Sequence, residues 1–229
     1  MTISILAFDE KTGSYGGAAT TGSLCVGGWV LRGDPESGLS ASQGSLPSTM
    51  WGTDTLVAMR AGVGAKDAVL DVVNADSGRS HRQIAALDPT GDVFAFTGAD
   101  SIASAGSRAG PRFIVAGNLL ETSHVIDACF DGFQAAEGSL AERLLAALDA
   151  AAKAGGDSRG LLSAALLIVN RKLAPLTLRI DKSATPLSDL RALYADATSG
   201  AYADWAALVP TLDDPERAEP YLEKADQPV

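Results

Sequence analysis

The stretch Thr2-Ile3-Ser4-Ile5-Leu6-Ala7-Phe8-Asp9-Glu10-Lys11-Thr12-Gly13-Ser14-Tyr15-Gly16-Gly17-Ala18-Ala19-Thr20-Thr21 sets the fold class. Residues 3–8 read as a strand, Lys11-Thr12-Gly13-Ser14 as a turn, and residues 15–21 as a second strand. Two such runs around a short Gly-containing turn make an antiparallel hairpin. The pattern returns twice. Residues 82–87 and 93–97 flank Asp88-Pro89-Thr90-Gly91-Asp92, and residues 163–169 and 176–180 flank Asn170-Arg171-Lys172. Shorter strand candidates lie at 27–32 and 39–43, around Gly33-Asp34-Pro35, and at 113–116.

Helical spacing fills the gaps. Thr53 is the expected cap of a helix carrying Leu56, Val57 and Met59, and residues 66–74 place Val69, Leu70, Val72 and Val73 on one face. Residues 123–134 repeat the pattern with Val125, Ile126, Cys129, Phe130 and Phe133. Ser139 followed three residues later by Glu142 is a capping box that opens a helix with Leu140, Leu144, Leu145 and Leu148; Gly155 stops it. A last helix is expected over residues 187–194, running towards Trp205. Strands grouped as hairpins imply an α+β fold with largely antiparallel sheets and helices outside, not a doubly wound parallel sheet. Residues 1–205 read as one domain and 206–229 as a peripheral tail.

The chain has 229 residues, of which 46% are hydrophobic and 20% charged. A chain of this size buries roughly 70% of its unfolded surface, so its core needs no metal or disulfide. The net charge of −10 and the lack of a Lys/Arg cluster argue against a nucleic-acid or anionic-membrane partner. Cys25 and Cys129 are the only cysteines, and His81 and His124 the only histidines. With no CxxC and no HExxH, no metal site is expected, and nothing in the pattern asks for a cofactor. Two thiols in a long chain fit a reducing compartment. No segment reads as a signal peptide or a spanning helix, so the expected location is the cytoplasm.

Phosphate loops, nucleophile elbows and dinucleotide fingerprints are absent. What remains is Thr2. It follows Met1, and a small second residue is the kind that an aminopeptidase exposes. A free N-terminal Thr carries its own base, an α-amine of pKa about 7.7–8.0. That amine takes the hydroxyl proton while the oxygen attacks a carbonyl. A hydrolase built on an internal Ser would have to use His81 or His124, of which the first sits in a polar run and the second at a helix start.

Several segments resemble a bacterial family of unknown function placed in the N-terminal-nucleophile (Ntn) hydrolase superfamily. They are Thr2-Ile3-Ser4-Ile5, Thr12-Gly13, Ala41-Ser42-Gln43, Asp88-Pro89-Thr90-Gly91, Ala95-Phe96-Thr97-Gly98 and Val115-Ala116-Gly117-Asn118-Leu119-Leu120. Leu140-Ala141-Glu142-Arg143-Leu144-Leu145-Ala146-Ala147-Leu148 follows, then Gly155-Gly156-Asp157-Ser158-Arg159-Gly160 and Ser163-Ala164-Ala165-Leu166. The similarity spans residues 2–195. It implies a four-layer αββα sandwich, with Thr2 in the nucleophile's position and amide hydrolysis by acyl transfer as the reaction.

Other residues have physical arguments of their own. The Asn118 side chain, after a strand and a Gly, is a candidate oxyanion donor. Asp157 and Arg159 lie between a helix stop and a strand, where Arg159 would clamp a substrate carboxylate and Asp157 orient it or the Thr2 amine. Gln43 ends a short apolar strand and would hydrogen-bond substrate. Two departures from the family pattern stand out, Ser104 and Ser107 in place of its usual Trp and His. The expected function is therefore hydrolysis of a small amide substrate. The alternative is a non-catalytic small-molecule-binding or assembly protein on the same fold, which applies if Met1 stays attached and the Thr2 nitrogen remains an amide. A homodimer is the expected assembly, with Tyr194, Tyr202 and Trp205 as a candidate apolar stripe.

Overall fold

A computed structural model describes residues 2–102, 104–155 and 160–218. Among them are ten strands in two antiparallel sheets. The six-stranded sheet has the order β10-β9-β2-β1-β8-β7, formed by β1 (Thr2–Asp9), β2 (Ser14–Thr21), β7 (Gly106–Gly110), β8 (Phe113–Asn118), β9 (Ser163–Val169) and β10 (Leu176–Ile180). The four-stranded sheet runs β3 (Leu31–Asp34), β4 (Gly38–Gly44), β5 (Arg82–Leu87), β6 (Val93–Thr97). The three expected hairpins all form.

Strand alternation sorts the side chains into layers. In β1, Ile3, Ile5 and Ala7 face outward and pack with α4 (His124–Ala135), α5 (Leu140–Lys153) and α6 (Pro186–Ala197). Leu6, on the opposite face, meets Leu39, Ala41, Ala85, Leu87, Ile114 and Ala116 between the sheets. A third cluster lies outside the smaller sheet, where Ile84 and Ala86 pack on α2 (Trp51–Arg60) and α3 (Ala65–Asn74). Three apolar interfaces thus separate four layers, which is the αββα sandwich.

The small residues of β2 make this packing close. Every residue of β2 is buried. A Cβ on Gly16 would come within 2.6 Å of the Leu144 side chain on α5. Ala and Gly in the middle of a strand are poor β-formers, and here tertiary contact overrides that preference.

Local chemistry explains where the sequence reading needs correction. The stretch expected as a strand from Gly27 is instead a helical turn, α1 (Val26–Trp29), preceded by Cys25 in the left-handed conformation at φ 61°. It lies so close to β9 and β10 that a Cβ on Gly27 would sit 2.7 Å from both Ala165 and Arg179. Helix α2 starts before Thr53. The Ser48 hydroxyl accepts from the Met50 and Trp51 amides and turns the chain into it. Strand β7, unforeseen, is an edge strand of Gly-Ser-Arg-Ala-Gly without apolar alternation. The terminal aromatics divide: Tyr194 bonds the Ser139 hydroxyl and packs on the core, while Tyr202 and Trp205, on α7 (Gly200–Ala206), stay exposed. No helix among the described residues is long and apolar enough to cross a membrane.

The Ser139/Glu142 capping box is present in full. Hydrogen bonds from the Ser139 amide and hydroxyl hold the Glu142 carboxyl below the ordinary carboxylate range. A depressed folded-state pKa gives stability that is present above the unfolded value and lost as pH falls through the folded one. Ser139→Ala should therefore cost about 1 kcal/mol near neutral pH, and less below about pH 4; urea unfolding at both pH values checks this. Leu144→Ala, at a fully buried site, should cost about 2–5 kcal/mol. Val57→Ala, at an exposed one, should stay within about 0.5 kcal/mol.

Candidate functional site

Thr2 begins β1, the strand between β2 and β8, and stands opposite Thr21 on one side and Asn118 on the other. Even-numbered positions of β1 face the smaller sheet, as do Ala116 and Asn118 in β8. From that sheet, Gln43 follows Ala41 on the inward face of β4, and Gln83 precedes Ala85 on the inward face of β5. Four polar side chains therefore meet at one end of a slot in which Ser4, donating to Ala116 O, is the next polar residue of β1.

Three of them form a connected set of hydrogen bonds. Gln83 Nε2 donates to Gly117 O at 2.9 Å, Gly106 O at 3.0 Å and Thr97 Oγ1 at 2.8 Å. Two of these acceptors are backbone carbonyls, which cannot donate, so the amide orientation of Gln83 is fixed. Its Oε1 accepts from Gln43 Nε2 at 2.6 Å and from Asn118 Nδ2 at 3.1 Å. Gln43 Nε2 also donates to Ala116 O at 3.2 Å. All three residues are at most 2% exposed.

Thr2 itself is partly exposed. Its Oγ1 lies 3.2 Å from Thr21 Oγ1. Both threonines and Gln43 line a cavity of ≈ 530 Å³ together with Ser42, Arg82 and the loops 23–30 and 44–49. Leu24, Trp29 and Leu46 form an exposed apolar rim. Arg82 is the charged lining residue among those described, and its guanidinium is bound to Asp76 at 2.7 Å and to Leu46 O at 3.0 Å.

The structure brings Thr2, Gln43 and Asn118 together. Asn118 gives one N–H to Gln83 and stands opposite Thr2, but it is not among the residues that line the cavity. Asp157 and Arg159 lie outside the described residues. Ser107 is exposed on β7, and Ser104, at φ 57°, accepts the Leu120 amide through its carbonyl; neither lines the cavity. His81 faces Asp100 at 3.8 Å, His124 is exposed, and neither lines the cavity. The described residues hold no cluster of three or more His, Cys, Asp or Glu able to take a metal. Sequence reasoning missed Gln83. The signal was there: a Gln in phase with Ala85 and Leu87 falls on a buried strand face, where a polar group needs partners.

Removing that side chain should strand its partners. Gln83→Leu leaves the Gln43 and Asn118 amides and two carbonyls short of a bond, each worth about 1–3 kcal/mol when buried. The expected loss is about 3 kcal/mol or more in urea unfolding. Thr97→Val, which removes one acceptor from a donor that has two others, should cost about 1 kcal/mol.

Comparison with other proteins places this architecture. The model of a family of unknown function, DUF1028, matches residues 2–190. The crystal structure of protein SPO2555 from Silicibacter pomeroyi, of the same family, is similar at a TM-score of 0.91 and 50% sequence identity. The similarity covers 94% of this chain and 98% of that one. No curated protein matches. With most of its length matched to the family model, the chain belongs to the DUF1028 family of unknown function.

Proposed function

We propose that this chain is an amidohydrolase of the Ntn type, which cleaves a small amide by acyl transfer through Thr2 after removal of Met1. One observation carries the reading. Thr2 opens a central strand, so its hydroxyl is held by pairing on both sides, and it lines a cavity beside the buried amide network.

The chemistry follows from the residue itself. The freed α-amine, neutral in appreciable fraction near pH 7, takes the Oγ1 proton as Oγ1 bonds to the substrate carbonyl carbon. The carbonyl electrons move to oxygen, and N–H donors such as the Asn118 amide stabilise the oxyanion. When the C–N bond breaks, the ammonium returns its proton to the leaving nitrogen. Water then attacks the ester carbon, gives a proton to the amine, and the C–Oγ1 bond breaks as Oγ1 recovers that proton. No metal and no His takes part. Thr21, 3.2 Å from Oγ1, holds the nucleophile in one rotamer.

The test starts with intact mass. Protein made without an N-terminal tag should be lighter than the full chain by one methionine residue. On an amide library, Thr2→Ala should then lower turnover by at least about a thousandfold with an unchanged melting temperature, and Thr2→Ser should keep it. A full-length mass after expression with abundant methionine aminopeptidase overturns the reading, because an acylated nitrogen is no base; small-molecule binding on the same fold then takes its place.

A further inference from the structure

The cavity beside Thr2 has two kinds of wall. Thr2, Thr21 and Ser42 line it from β1, β2 and β4, whereas Leu24, Trp29 and Leu46 line it from the α1 turn and the segment after β4. Leu24, Trp29 and Leu46 are 51%, 50% and 61% exposed. Single exposed apolar residues are ordinary, but three on one concave surface mark a place where something apolar binds. Their backbones are fixed although their side chains are uncovered. Around α1 the Cys25 amide donates to Asp181 O at 3.0 Å, the Val26 amide to Ser163 Oγ at 3.1 Å, and Ser163 Oγ to Ser23 O at 2.7 Å. Trp29 O accepts from Arg32 Nη1 at 2.8 Å. On the other segment the Leu46 amide donates to His81 O at 3.3 Å, and Leu46 O accepts from Arg82 Nη1 at 3.0 Å. Arg82 is held in turn by Asp76 at 2.7 Å.

We infer that Leu24, Trp29 and Leu46 determine the specificity of this site, by holding a large apolar group, aromatic or branched aliphatic, borne next to the amide that Thr2 cleaves. The inference rests on the proposed function for the reacting amide and deepens it by naming the substrate class, amides with one bulky apolar substituent. Transfer of that substituent from water onto the three side chains supplies the affinity. Because the walls are anchored before the ligand arrives, little ordering entropy is lost on binding. A volume of ≈ 530 Å³ holds a substrate of this size. Arg82 is a positioning residue here. Its guanidinium joins Asp76 to Leu46 O and so keeps Leu46 at the cavity.

The experiment is a chemical-shift titration of the full Thr2→Ala chain, which turns over no probe, with three neutral amides. They are 3-phenylpropionamide, propionamide, which is the same molecule without the ring, and adipamide, which is of similar length but ends in a polar group. 3-Phenylpropionamide should bind about tenfold or more tightly than either, the effect of taking a ring out of water. It should move the Trp29 indole signal and leave that of Trp205 in place. Trp29→Ala and Leu46→Ala, at exposed positions, should keep the melting temperature and together bring 3-phenylpropionamide to the affinity of propionamide. Arg82→Lys keeps the charge beside Asp76 but loses the second prong to Leu46 O; it should narrow the preference while propionamide binding stays the same. Trp205→Ala should change nothing. Equal affinity for the three probes, or a preference that survives the Trp29→Ala, Leu46→Ala double substitution, overturns the inference. So does a halving of the particle mass on Trp29→Ala, because the apolar patch is then an interface between two copies of the chain. A preference for the ring in a protein that hydrolyses no amide sinks the proposed reaction and leaves the apolar subsite. Equal kcat/KM for propionamide and 3-phenylpropionamide in the unsubstituted chain does the reverse.

Discussion

The two sheets are joined at one end by the carboxamide of Gln83. It belongs to the smaller sheet and donates to Gly106 O and Gly117 O of the larger one. Below this point the slot is apolar, with Leu6, Leu39, Ala85 and Leu87 in contact. Apolar contact is non-directional and tolerates sliding. Hydrogen bonds at 2.9–3.0 Å between fixed carbonyls and a buried amide do not. The network therefore sets how the sheets meet where Thr2 sits. It is stable as a set, because each missing member leaves orphans in a dry environment.

Everything outside the slot serves to hold its walls. Strand β1 is paired along its length with β2 and, from Thr2 to Ala7, with β8. The glycines and alanines of β2 let α5 approach until Leu144 and Leu140 would touch a Cβ on Gly16. Leu144, Leu145 and Leu148 are fully or almost fully buried on that face, each contributing roughly 1.5–3 kcal/mol. The opposite wall is backed by Trp51 and Met59 on α2, over Ile84 and Ala86. A site carried on strands supported on both faces keeps its geometry better than one carried on loops. The loops enter only at the rim, where Leu24 and Leu46 project.

Much of this was legible in the sequence because it is local. The hairpins at 82–97 and 163–180 rest on apolar runs around turn residues, and α5 announces itself by Ser139 and Glu142. Strand β7 was illegible for the same reason, since Gly-Ser-Arg-Ala-Gly is no apolar run and becomes a strand by pairing with Phe113–Gly117. Helix α1 was misread because the constraint on Gly27 comes from Ala165 and Arg179, more than a hundred residues away. Of the site, Thr2, Gln43 and Asn118 were visible as types at telling positions. Their common partner was not, because its hydrogen bonds reach 23 and 34 residues along the chain to Gly106 and Gly117, and no local pattern encodes that distance.

The polar character of the slot bears on the order of events in the proposed reaction. Its described lining is neutral apart from Arg82, whose charge is matched by Asp76. Neutral dipoles in a region screened from water act strongly but add no net charge. An uncharged amide thus enters without the desolvation cost that an ion carries. After cleavage the acyl product is a carboxylate, which carries a charge and regains its hydration only on leaving. A lining without net charge then favours the neutral substrate on entry and disfavours the acid that leaves.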